Sequence, residues 1–129
     1  MKASEYNGST LAFVGDAVYG LLVRERLINP EKPLKNLHAS SVEFLNASAQ
    51  AQAFLLIKDK LTETELSIFK RGRNTKAQNI PKNSNVSEYH KATGLETLFG
   101  YLYLSGQKTR LYELFSYIWD DKNKKTESI

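Results

Sequence analysis

Apolar residues along this chain recur at the three- and four-residue spacing of helices, and no period-two alternation is long enough to mark a strand. The densest stretch runs from Leu11 to Val23, and its only charge is Asp16. Leu11, Val14, Val18, Leu21 and Leu22 fall on one side of a helix there. Asp16 lies nearly opposite, yet its neighbours Ala12, Phe13, Tyr19, Gly20 and Val23 carry no charge either. A helix that is apolar on both sides is normally covered on both sides. The Asp16 carboxylate is therefore expected in a packed setting, where it needs a cation, a metal or hydrogen bonds.

The remaining pattern predicts further helices. The first, capped by Ser9 or Thr10, runs to about Leu27, where Asn29-Pro30-Glu31-Lys32-Pro33 breaks it. A single long helix is expected from about Leu34 to Leu61, with small residues from Ala47 to Ala53 that let a neighbour come close. Thr62 and Glu65 have capping-box spacing and start a third helix, which Arg71-Gly72-Arg73-Asn74 ends. A polar segment leads to Asn85, and Ser87-Glu88 opens a fourth helix that stops at Ser105-Gly106. A final amphipathic helix presents Leu111, Leu114, Phe115, Ile118 and Trp119, and the tail from Asp120 to Ile129 is expected to fray. The reading is all-α: one domain over 1–129 with its core at about 9–119.

Composition narrows the function classes. A chain of 129 residues with 41% hydrophobic and 25% charged residues suits one globular domain. Cysteine is absent, so disulfides and thiolate metal sites are excluded, and a cytoplasmic location is expected. The N-terminal residues lack an apolar signal core, and no apolar run is long enough to span a membrane. The net charge of +4 permits an anionic partner without demanding one. Histidines 38 and 90 stand outside any zinc-ligand spacing.

The fourth helix repeats the oddity of the first. Leu95, Leu98, Phe99 and Leu102 make its apolar side, and Glu96 is the only charge between Ala92 and Leu104. Asp16 has Ala12 four residues before it and Gly20 four after, and Glu96 has Ala92 and Gly100 in the same places. Positions four apart stack on one helix face, so the two helices are expected to cross closely with both acids facing one centre. Two readings stand at this point. The acids could hold Mg²⁺, which prefers few protein oxygens and keeps its own waters, for phosphodiester hydrolysis. Alternatively, each could bond an Arg, a Lys or a hydroxyl in the core.

From Leu66 to Ser87 there is no acid, while Lys70, Arg71, Arg73, Lys76 and Lys82 are basic and Asn74, Gln78, Asn79 and Ser84 add hydrogen-bonding groups. Such a stretch suits phosphate and sugar contacts on an RNA duplex, and equally a solvated loop whose arginines offset a helix dipole.

Together these segments resemble the ribonuclease III catalytic domain. Leu11–Tyr19 looks like its signature helix, Arg71-Gly72-Arg73-Asn74 like its RGRN element, and Leu95–Leu104 like its second acidic helix. Ala49-Gln50-Ala51 sits where that family has an Ala-Gln-Ala segment, and too few residues follow Gly106 for the usual double-stranded-RNA-binding domain, as in the shortened Mini-III type. The resemblance implies a helical homodimer that cleaves double-stranded RNA with Mg²⁺, in the maturation of large-subunit (23S) ribosomal RNA, with no membrane partner. It makes Asp16 and Glu96 the catalytic, metal-holding acids, and Phe13 the aromatic that packs into a partner subunit. Arg71, Arg73, Asn74, Lys76 and Lys82 become the expected RNA contacts, with His38 and Gln50 as further candidates. Ala12 and Thr93 stand where longer family members carry acids, Ser48 where a basic residue is common, and Asn85 where an acid is common. The alternative is a non-catalytic module of the same fold that binds structured or ribosomal RNA.

Overall fold

The computed structural model describes residues 2–76, 80, 82–83 and 85–127, the last five by their backbone alone. The described residues form helices and no strand: α1 (Gly8–Leu27), α2 (Leu34–Leu45), α3 (Ala47–Ile57), α4 (Glu63–Arg73), α5 (Val86–Leu104) and α6 (Lys108–Glu127). Short 3-10 turns at Ala3–Glu5 and Lys58–Lys60 precede α1 and α4. No helix among the described residues is long and apolar enough to cross a membrane.

Several boundaries differ from expectation for local reasons. α1 is capped by Asn7, whose side chain accepts from the Thr10 amide at 2.8 Å, in place of Ser9 or Thr10. The long helix expected from Leu34 is two helices. Asn46 ends the first with an extended backbone and caps the second by accepting from the Ala49 amide at 2.8 Å. An asparagine between two apolar runs offers the backbone this local alternative, and period counting does not register it. The last helix continues past Asp120 to Glu127. The Thr62–Glu65 capping box forms as predicted, and Gly106, at φ 75°, closes α5 in the left-handed region that glycine enters without strain.

α5 is the axis of the molecule, packed against α1, α3, α4 and α6. Leu95, Leu98, Phe99 and Leu102 are fully buried in one cluster with Val18, Leu22, Leu111, Leu114 and Phe115. Tyr19 sits edge-on to Phe99 and Phe115, with ring centres at 5.2 and 5.5 Å, a favourable arrangement for aromatic quadrupoles. On α1 the buried side is Leu11, Val18, Tyr19, Leu22 and Val23, while Leu21 of the expected stripe is exposed. The second apolar side of α1 is open only in part: Phe13 is 82% exposed and Leu21 of the first stripe 56%, whereas Tyr19 and Val23 are buried.

Candidate active site

Two glycines set how closely α1 and α5 approach. A side chain on Gly15 would run into the carbonyl oxygen of Glu96, and one on Gly100 into that of Leu11. Gly100 acts as the four-residue spacing suggested, but its counterpart on α1 is Gly15. Gly20 instead faces the movable guanidinium of its own neighbour Arg24. The matched Ala and Gly positions therefore give half of the crossing. The other half needs the relative rotation of the helices, which no single-helix pattern contains.

At this crossing Asp16 and Glu96 meet, close enough for Asp16 to act on the Glu96 carboxyl. Asp16 is exposed, contrary to the packed setting expected from its neighbours, although Tyr19, Gly20 and Val23 beside it are buried. Glu96 is half-buried. Burial, followed by the hydrogen bond and the negative charge from Asp16, pushes the Glu96 carboxyl up to about 8, against a weaker opposing hydrogen bond from Gln50. Glu96 thus holds its proton more tightly than an ordinary glutamate. Burial also raises the Tyr19 phenol above its usual range, with a further contribution from the Glu96 charge.

Gln50 belongs to the first turn of α3 and is 4% exposed. Its Nε2 donates to the Leu45 carbonyl at 3.0 Å, while its Oε1 is buried with no partner. Gln50, a candidate RNA contact from sequence, is thus a buried residue of α3. Among the described residues no group of three or more His, Cys, Asp or Glu side chains converges. The acids present are two.

The basic end of α4 is held against the same stretch of α5. Gly72 has no room for a side chain because Thr97 and Gly94 press on it, and the Thr97 hydroxyl, 3.0 Å from the Gly8 carbonyl, ties α5 to the start of α1. Arg71 and Arg73 therefore flank the segment that carries Glu96. Arg71 is already engaged: its Nη1 donates to the carbonyls of Ser4 and Tyr6 at 2.7 and 3.0 Å. Arg73 bonds Asn74 at 3.2 Å. Lys76 and Lys82 are exposed, whereas Gln78, Asn79 and Ser84 lie outside the described residues. Asn85 caps α5 by accepting from the Glu88 amide at 3.1 Å. His38 is exposed on α2, away from this cluster, beside a small apolar cavity lined by Leu27, Ile28, Leu34 and Leu37. Gly15 and Thr97 were not singled out from sequence. Only their contacts reveal them.

Comparison with known proteins supplies the family. The ribonuclease III domain model matches residues 9–107, and the chain belongs to the ribonuclease III family. Its relatives include the Mini-ribonuclease 3 of Clostridium tetani, 39% identical over 88% of this chain and 77% of that one. The Mini-ribonuclease 3 of Thermoanaerobacter is 45% identical over 78% of this chain and 72% of that one. A crystal structure of a Fusobacterium nucleatum protein superposes with a TM-score of 0.86 at 28% identity, covering 95% of this chain and 99% of that one. The chain is an endoribonuclease of the Mini-III type, which sets aside the non-catalytic alternative.

Proposed function

We propose that this endoribonuclease cleaves double-stranded RNA with Mg²⁺, as a homodimer in the cytoplasm, and that its substrate is a precursor of large-subunit ribosomal RNA. The observation that carries the cation reading is the Asp16–Glu96 pair. Burial, and after it the neighbouring Asp16, makes the charged form of Glu96 costly, and a divalent cation at the pair would offset that cost. The donors fit: both are hard oxygens, and a pair of carboxylates suits an ion that keeps most of its waters. Asp16 and Glu96 would hold it. When bound, the ion supplies the Lewis acidity that lowers the pKa of a water and offsets charge developing on the phosphodiester.

The chain's own residues do the rest. Gly15 and Gly100 let the helices approach until the carboxyls meet. Glu96 would hold the cation as the carboxylate. Arg73, Asn74, Lys76 and Lys82, with Arg71 beside them, bind backbone phosphates and sugar hydroxyls of the duplex; His38 is a more distant candidate. Phe13 and Leu21 form the face against which a second copy packs, which would cover the exposed side of α1. The ribosomal assignment rests on the likeness to the Mini-III type.

The test is cleavage of an RNA duplex with Mg²⁺ by the wild type, Asp16→Asn and Glu96→Gln. Cleavage by the wild type alone, leaving 5′-phosphate and 3′-hydroxyl ends, is expected. Equal cleavage by all three proteins removes these acids from the chemistry. A precursor transcript of large-subunit ribosomal RNA should be cut at a discrete position, and indiscriminate cutting would overturn the substrate assignment.

A further inference from the structure

Gln50 Oε1 is the only buried side-chain oxygen or nitrogen among the described residues that has no hydrogen-bond partner. Its orientation follows from its surroundings. The Leu45 carbonyl accepts from the amide nitrogen at 3.0 Å, so turning the amide over would set two oxygens against each other. The same side chain lies close enough to Glu96 to act on it, drawing its carboxyl down against the effect of burial. A neutral carbonyl oxygen is thus left unpaired in the interior beside a carboxylate pair. Buried polar atoms are rarely left in this state unless a ligand completes them.

We infer that the Gln50 side-chain oxygen is a third protein ligand for the divalent cation held by Asp16 and Glu96. This rests on the cation reading proposed above. Amide oxygens are ordinary ligands for hard cations. A neutral one adds a donor without a third negative charge beside the two acids. It also answers how a centre with only two acids gathers enough oxygen. The competing explanation is that Gln50 is a strut, joining the Leu45 carbonyl to Glu96 through its nitrogen.

Two substitutions separate these possibilities. Gln50→Glu keeps an oxygen and loses the N–H donor, and Gln50→Leu loses both. Binding of Mn²⁺ to the full chain without RNA is followed by electron paramagnetic resonance, with Mg²⁺ as competitor, and circular dichroism checks that each variant is folded. Gln50→Leu should weaken cation binding about tenfold, and Gln50→Glu should bind at least as tightly as the wild type. Unchanged affinity in Gln50→Leu overturns the inference, as does an equal loss in both variants, which is the result a strut gives. Should Gln50→Leu fail to fold, Gln50→Glu decides alone: weakened binding overturns the assignment, and retained or tighter binding supports it. Asp16→Asn and Glu96→Gln test the underlying reading separately. If they bind as the wild type does, or if the wild type does not bind, the cation reading fails. If they lose binding and Gln50→Leu does not, only the third ligand fails.

Discussion

Asp16 faces Glu96 across the closest approach of α1 and α5, where burial and then Asp16 push the Glu96 carboxyl up to about 8. The contact joins residues far apart in sequence, and it exists because Gly15 and Gly100 remove the side chains that would hold the helices apart.

The raised Glu96 carboxyl makes the stability of the metal-free protein fall as pH rises. Its folded-state proton is held more tightly than the unfolded chain holds it, so the contribution is complete below the ordinary glutamate value and is lost on passing up through about 8. Glu65 has the opposite sign. Burial would raise it, but hydrogen bonds from Arg110 and Thr62 together with the Arg110 charge hold it below its ordinary value. Its contribution is present above the unfolded value and is lost as pH falls through the folded one. Between them these groups place the optimum of the metal-free protein near pH 5. Thermal unfolding across pH 3–9 checks this on a scale of roughly one pH unit. Mg²⁺ should raise the midpoint more at pH 8 than at pH 5, and Asp16→Asn should flatten the decline above pH 5.

The glycines of α1 are predicted to differ in sign. Gly15→Ala sets a methyl against the Glu96 backbone, which cannot turn aside, and should cost about 3 kcal/mol or more. Gly20→Ala meets only the Arg24 guanidinium, which can swing away, and should stabilise by about 0.5–1 kcal/mol. Urea denaturation measures both. Equal effects would mean that the crossing is not where Gly15 and Gly100 put it.

RNA affinity should fall with each basic residue removed, and its dependence on salt should fall with it. Lys76→Ala or Lys82→Ala is expected to lower the slope of log affinity against log salt by about 1 while leaving the thermal midpoint unchanged. Arg71→Ala should also lower that midpoint, since its guanidinium ties down the Ser4 and Tyr6 carbonyls. Fluorescence anisotropy with a labelled duplex, at several salt concentrations, reads these effects.

Phe13→Asp should shift the protein toward monomer in analytical ultracentrifugation. The ring makes so little contact within its own chain that the metal-free monomer should lose little intrinsic stability. A wild type that is already monomeric at micromolar concentration would refute the homodimer.

Much of the fold was legible in the chain because helix formation, capping and termination are local. The Thr62–Glu65 box, the stop at Gly106 and the buried side of α5 are each decided by residues within a few positions of one another. The break at Asn46 escaped because both of its flanks have helical composition. The acids were legible as lone charges in apolar helices, and the basic end of α4 as an acid-free run. What local patterns could not contain was rotation and cover. Asp16 is expected buried from its neighbours, yet it is exposed while Tyr19, Gly20 and Val23 beside it are covered, a matter of helix rotation that residue type does not carry.

The sequence by itself determined the helices, the pair of acids and the family to which they belong, since these depend on residue type and short spacing. Only the tertiary structure decided that Gly15 is the partner of Gly100, that Thr97 anchors α5 to α1, and that Gln50 lies buried under Glu96 with an oxygen unpaired. Those relationships depend on the angle and depth at which separate helices pack. That geometry is set by the sum of all core contacts and is written in no single segment.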